Sequence, residues 1–167
     1  MIIRRANSQD VRACARIMAG TPLWQRYGVT EESAARRIEQ GIASQAEIAV
    51  AESEQGVCGF IWYSVSGAFE RSGYIRLVGV QPGSHSQGIG KALMAYAEEH
   101  VFKAASDIFL LVSDFNTPAR DFYKRQGYVQ VGEIPGYILP EVSELILHKR
   151  RPAQAGQQAY HDPAGSQ

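Results

Sequence analysis

Apolar residues along this chain recur at two spacings, and the spacing switches repeatedly. Residues 2–5 read as a short first strand. Asn7 or Ser8 is placed to cap a helix carrying Val11, Cys14, Ala15 and Met18 on one stripe, the three-and-four spacing of an amphipathic helix. Segment 20–28, GTPLWQRYG, interrupts the pattern and predicts a loop with two large aromatics. Thr30 caps a second helix, with Glu31 and Glu32 in the first turn, where the helix dipole favours acids. Ala34, Ala35, Ile38 and Ile42 form its apolar face. The pattern then changes to strands at 46–52 and 57–65 around the turn Ser53-Glu54-Gln55-Gly56, close enough together to imply an antiparallel hairpin. After a loop at 67–73, residues 74–80 make a third strand of this run.

Leu93, Ala97 and Val101 give the next helix its buried stripe. IFLLV at 108–112 is continuously apolar, as expected of a strand covered on both faces. Pro118 suits the first turn of a helix capped by Asn116 or Thr117. Strands near 128–133 and 144–149 close the pattern. The order β-α-α-β-β-β-α-β-α-β-β predicts a mixed α/β sheet, with the antiparallel hairpins early and a β-α-β unit in the middle. Residues 1–150 read as one domain. Residues 151–167 have no periodicity and read as a disordered tail.

Composition narrows the partners. The 17 basic and 17 acidic residues cancel, so charge gives no support to a nucleic-acid or anionic-membrane partner. No apolar run approaches the ~20 residues of a membrane span, and the first residues carry no apolar signal segment. A cytoplasmic protein is the expectation. Cys14 and Cys58 fall in helical and strand patterns and read as small buried hydrophobes. Their spacing suggests neither a metal site nor a disulfide framework.

The stretch with most chemistry in it is LVGVQPGSHSQGIGKAL, residues 77–93. A strand runs into Pro82, a small polar loop follows, and a helix begins. Such a loop lets a ligand approach its backbone and feeds free N–H groups into the positive end of a helix, a seat for phosphate or pyrophosphate. A Walker A loop is excluded because Gly90-Lys91 is followed by Ala92 and position 85 is His. A Rossmann fingerprint is excluded because Leu93 stands where the third glycine or alanine belongs.

The loop resembles the coenzyme A loop of the GNAT N-acetyltransferases, R/Q-x-x-G-x-G/A after a Val-x-Pro strand end, through Val80, Pro82, His85, Gly88, Gly90 and Leu93. His85 departs from the usual Arg or Gln and would make pyrophosphate binding depend on pH. A second stretch, NTPARDFYKRQGY at 116–128, is similar to the family's N-x-x-A-x-x-F-Y-x-x-x-G-F/Y through Asn116, Ala119, Phe122, Tyr123, Gly127 and Tyr128. The resemblance covers roughly residues 2–149. It implies a largely antiparallel central sheet flanked by helices, with a splayed pair of central strands. It also implies acetyl-CoA as the acyl donor, with Ser86, Gln87, Gly88, Ile89, Gly90 and Lys91 at the pyrophosphate.

In that family a bulged strand exposes backbone N–H groups to the thioester. Here it would be Leu77-Val78-Gly79-Val80, with Gly79 at a bulge or a close backbone approach; the alternative is that Gly79 makes room for a packed helix. The resemblance makes Tyr123 the general acid for the departing thiolate, against the alternative of a core aromatic. Asn116 either bonds a cofactor amide or caps a helix. The strand lacks the carboxylate that many relatives use as general base, which leaves Asp114, Glu70 or a chain of waters. Trp24 and Tyr27, with late residues 134–141, are the expected acceptor pocket. The expectation is direct transfer to a primary amine, of a small molecule before a protein N-terminus or lysine. A non-catalytic acyl-CoA sensor is the rival, and homodimerisation stays open.

Overall fold

The structure is a computed structural model and describes residues 1–84 and 87–152. His85, Ser86 and the segment 153–167 lie outside the described residues, and with them two members of the expected pyrophosphate loop and most of the expected tail.

Seven strands form one sheet in the order β1-β2-β3-β4-β5-β7-β6. They are β1 (Ile2–Arg5), β2 (Glu47–Ser53), β3 (Gly56–Ala68), β4 (Ser72–Val80), β5 (Asp107–Ser113), β6 (Val129–Pro135) and β7 (Ser143–Arg150). All neighbours are antiparallel except β4 and β5. A parallel pair needs a crossover, and here helix α4 (Ile89–Ala104) supplies it.

The helix patterns hold with small shifts. Asn7 caps a 3-10 turn at Ser8–Asp10, which leads into α1 (Val11–Ala19). Cys14, Ala15, Ile17 and Met18 are buried there, and Val11 packs half-buried against the same cluster. The segment expected as a loop contains a short helix, α2 (Pro22–Arg26), with Pro22 in its first turn. It buries no residue of its own, so no apolar stripe marked it. Thr30 caps α3 (Glu31–Ala43) through the Ser33 N–H. Asn116 caps α5 (Thr117–Arg125) by accepting from Ala119 N at 3.3 Å.

Two apolar clusters lie on opposite faces of the sheet. On one, α1 and α3 pack Cys14, Met18, Ala34 and Ile38 against Ile48, Val50, Phe60 and Trp62. On the other, α4 and α5 pack Leu93, Met94, Ala97, Val101 and Tyr123 against Ile61, Ile75, Ile108, Leu110 and Leu145. Gly73 is required for the second contact, since a Cβ there would clash with Val101 Cγ1.

The centre of the sheet is open. β4 and β5 pair only at Gly73↔Ile108, Tyr74↔Phe109 and Ile75↔Leu110. Beyond Ile75 the strands part, and the outer half of β4 has no partner on the β5 side. The divergence begins at a β-bulge: Trp62 pairs with Leu77 and Tyr63 with Ile75, which leaves Arg76 as the extra residue. This corrects the expectation of a bulge at Gly79, which pairs in regular register with Phe60. Gly79 is small for another reason. A Cβ there would meet Phe60 Cε1 at 2.7 Å, Trp24 Cη2 at 2.8 Å and Ile17 Cγ2 at 3.1 Å.

Candidate active site

The gap between β4 and β5 is the floor of a cavity of about 480 Å³, within the usual range for small-molecule sites. Its walls come from both faces of the sheet. Asn116, Ala119 and Tyr123 line it from α5, while Leu23, Trp24, Tyr27 and Arg37 line it from the side of α2 and α3. The cavity is therefore a passage through the sheet, and two reactants can meet in it from opposite faces.

On the α5 side, α4 begins beside the gap. Its N-cap is Gly88, in the left-handed region at φ 75°, and no side chain caps it. The first N–H groups of a helix have no partner within it, and among the described residues no side chain caps these amides, an arrangement suited to an anion. Ile89 is buried in the core and anchors the turn. A Cβ at Gly90 would lie 3.4 Å from Phe122 Cζ. Gln87, Gly88 and Lys91 are exposed. An anionic cosubstrate with an extended, amide-bearing arm fits this arrangement: the anion against the α4 amides, the arm along the unpaired edge of β4 at Val78.

Tyr123 reaches the cavity wall with 8% of its surface exposed. Phe122 and Tyr128 pack edge-on against it. Burial, and then the nearby Tyr74, push its pKa well above the ordinary phenol range. A phenol so held keeps its proton at neutral pH and can donate it or a hydrogen bond. The shift disfavours the phenolate, so the group acts as a hydrogen-bond donor and is a weaker proton donor than a free phenol.

The carboxylate candidates from the sequence are not at this site. Asp114 accepts from Ser143 N at 3.2 Å and ties the end of β5 to β7, and it does not line the cavity. The backbone around it is committed too, with Asp114 N donating to Ser143 O at 2.9 Å. Glu70 is exposed at the β3–β4 hairpin tip and does not line the cavity either.

Glu144 is the carboxylate that does. It sits on β7 opposite Ser113 in register, and it is 4% exposed. Tyr27 Oη donates to Glu144 Oε1 at 2.7 Å, and Ser113 Oγ donates to the same oxygen at 3.2 Å. The two hydroxyls are themselves 2.6 Å apart. These donors offset the cost of burying the carboxylate. Burial raises the Tyr27 pKa; Glu144 adds to the rise, and the Ser113 hydrogen bond opposes it. Tyr27 therefore stays protonated and remains a donor. Sequence reasoning missed Glu144 because it lies on a late strand outside both motifs.

Trp24 and Tyr27 both line the cavity, as do Tyr137 and Ile138 from the expected late segment. Trp24 stacks on Phe60 at 6.0 Å between ring centroids. Tyr27 stacks on Phe115, over which the Arg26 guanidinium lies at 3.9 Å. Asn116 also lines the cavity while capping α5. Neither cysteine lines it. Burial, and then Asp10, push the Cys14 thiol up to about 12, which denies it the thiolate a nucleophile needs.

A mixed sheet split between parallel central strands, with an uncapped glycine-led helix at the split, defines an acyl-CoA-dependent acyltransferase. The chain belongs to the acetyltransferase (GNAT) family, whose model matches residues 14–128. It is an N-acetyltransferase, and the family's acyl donor is acetyl-CoA. Solved structures share the fold. Ard1 from Thermoplasma volcanium has a TM-score of 0.75 at 23% identity, covering 89% of this chain and 96% of that one. A ribosomal-protein-alanine N-acetyltransferase from Brucella melitensis has a TM-score of 0.71 at 20% identity, covering 90% and 100%. An aminoglycoside 6'-N-acetyltransferase complexed with coenzyme A has a TM-score of 0.72 at 17% identity, covering 92% and 100%. Comparison with curated protein sequences finds no match. No helix among the described residues is long and apolar enough to cross a membrane.

Proposed function

We propose that this acetyltransferase acetylates the primary amine of a small molecule in one direct transfer, with Glu144 as the general base and Tyr123 as the general acid. The observation that supports it is the pairing of these two groups on one cavity: a buried carboxylate held by two hydroxyls, and a buried phenol held protonated.

Acetyl-CoA supplies an activated acetyl group as a thioester. The α4 amides and the open edge of β4 hold it from the α5 side. The acceptor enters from the α2–α3 side, between Trp24, Tyr27 and Ile138. As the amine nitrogen bonds to the acetyl carbon, Glu144 takes the amine proton, directly or through the Tyr27 hydroxyl. As the carbon–sulfur bond breaks, Tyr123 donates to the departing sulfur. The proton held by Glu144 then restores the tyrosine through solvent, so no net proton remains on the protein. Backbone N–H groups of the unpaired β4 edge can stabilise the developing oxyanion, a contribution of ~2.7–4 kcal/mol per donor in such sites.

Small acceptors are favoured over a peptide because bulky side chains crowd the acceptor side of the cavity: Trp24 and Tyr27 line it from the α2 side, and Tyr137 and Ile138 of the β6–β7 connection flank its mouth. The test is release of coenzyme A thiol from acetyl-CoA against polyamines, aminoglycosides, arylalkylamines, amino acids and short peptides. Turnover of a small amine, lost in Glu144→Gln, is the expected result. Turnover of peptides alone would overturn the small-molecule reading.

A further inference from the structure

Two cationic side chains on the acceptor side of the cavity have no role in the transfer just described. Arg37 reaches it from α3, and Arg76 reaches it from the β4 bulge. Most charged residues near the sheet are paired: Arg4 with Asp10 and Glu52, Lys149 with Glu98, Arg150 with Asp107. Arg37 and Arg76 form no ion pair with any described residue. The Arg76 guanidinium lies 4.8 Å from the Trp62 ring centroid, which positions the charge without neutralising it. Both guanidinium groups are solvent-exposed at the cavity mouth; desolvation by the groups packed around it, and then the neighbouring Arg76, lower the Arg37 pKa. Two like charges thus face one cavity without a counter-ion.

The opposite pole is Glu144. Tyr74 lines the same cavity as Arg37, Arg76 and Glu144, and its phenol, raised first by burial and then by Tyr137, feels the charge of all three. The acceptor half of the cavity therefore carries a fixed negative end and a fixed positive end. Leu23, Trp24 and Ile138 supply apolar surface along it. An acceptor with an amine alone would satisfy Glu144 and leave the arginines to solvent. An acceptor with both an amine and a carboxylate satisfies both ends, and paired guanidinium groups are well suited to bind a carboxylate through charge-assisted hydrogen bonds.

We propose that the acceptor is an amino acid, a small molecule whose amine is directed to Glu144 and whose carboxylate is held by Arg37 and Arg76. This rests on the small-molecule reading above and narrows it to one class. It makes Arg37 and Arg76 specificity residues and leaves the proton transfers where they were.

The test compares amino acids with their own amides, which keep the amine and lose the negative charge. The set contains L-amino acids with aliphatic and aromatic side chains, and ω-amino acids of increasing chain length to span the distance between the poles. With the wild-type enzyme, kcat/KM for the preferred acid should exceed that of its amide at least tenfold. Arg37→Gln and Arg76→Gln should each raise KM for the acid, and the double variant should bring the acid-to-amide ratio near one. Retained acetyl-CoA-induced thermal stabilisation certifies the fold of each variant. Amides equal to acids in the wild type would overturn the assignment even if the variants fail to fold. So would an acid preference that survives the double variant. Turnover of polyamines or aminoglycosides in preference to any amino acid would sink this inference and leave the small-molecule reading standing. Turnover of peptides alone, including acidic ones, would sink both.

Discussion

Tyr27 donates to Glu144 at 2.7 Å across 117 residues of sequence, joining the loop after α2 to strand β7 on the wall of one cavity. Only the folded sheet brings these groups together, and the chemistry proposed for the enzyme turns on their contact. Glu144→Gln should lower kcat/KM about a hundredfold or more, within the usual range for an acid–base group. Tyr27→Phe and Ser113→Ala, which remove one donor each, should cost less individually. Steady-state rates with the best acceptor would check the ranking, and a Glu144→Gln enzyme of wild-type activity would remove Glu144 from the mechanism.

Tyr123→Phe should lower kcat roughly tenfold to a hundredfold, again within or just below the acid–base range. The acetyl-CoA KM should stay close to wild type, because the ring and its packing against Phe122 and Tyr128 are kept. A rise in KM with kcat intact would point to a packing role.

Gly79→Ala tests how the cavity wall is built. The added methyl must displace Phe60 or Trp24, whose ring atoms lie at 2.7 and 2.8 Å. Overpacking of this kind costs about 1–3 kcal/mol. The acceptor KM should rise more than the acetyl-CoA KM, because Trp24 lies on the acceptor side. Denaturant unfolding and the two Michaelis constants measure both effects.

The α4 N-terminus gives a separate handle. Gly88 has φ 75°, and an L side chain in that region costs about 1–2 kcal/mol. Gly88→Ala should lower the stability of the fold by about that amount, and weaken acetyl-CoA binding to the extent that the unliganded turn relaxes away from this geometry. Calorimetric titration with coenzyme A reads the second effect directly.

Alkali should unfold this protein early. Burial raises the pKa of Tyr123 and Tyr128, with Glu98 adding to the rise at Tyr128. In the unfolded chain these phenols ionise near pH ~10, while in the folded chain they stay protonated. The unfolded state then binds fewer protons, so stability falls as pH rises above that value. The slope is ~1.4 kcal/mol per pH unit for each tyrosine held neutral. Tyr128→Phe should flatten the fall by one tyrosine's share between about pH 10 and 12, as followed by urea unfolding across that range.

Much of the fold was visible in the spacing of apolar residues. Leu93, Ala97 and Val101 marked α4. The IFLLV run marked β5, but its burial alternates: Ile108, Leu110 and Val112 are buried while Phe109 and Leu111 on the other face are only half-buried. Pro118 and Asn116 marked the start of α5. These signals are local, because a helix or strand must bury its own stripe. The glycine turn and Tyr123 were marked differently, by the resemblance of the two motifs to the family's signatures. What the sequence hid depends on tertiary pairing. Helix α2 buries none of its residues, so it left no stripe. Asp114 and Glu144 are both acids at strand ends, and only the register places Glu144 beside Ser113 while Asp114, one residue further on, turns to the Ser143 amide. Arg76 looked like an ordinary strand residue until the unequal pairing of β3 with β4 made it the bulge.

Three residue pairs are all that join β4 to β5, so the sheet is two leaves on a short spine. A cosubstrate arm laid along the free edge of β4 would serve as the strand the chain itself does not provide. The same bonds that load the enzyme would then close its sheet, and loading and folding would draw on one free energy. A ligand held a hundredfold above its Kd adds about 2.7 kcal/mol to the folded state. For a protein built on so narrow a join, the supply of acetyl-CoA would then bear on how long the chain survives as well as on how fast it works.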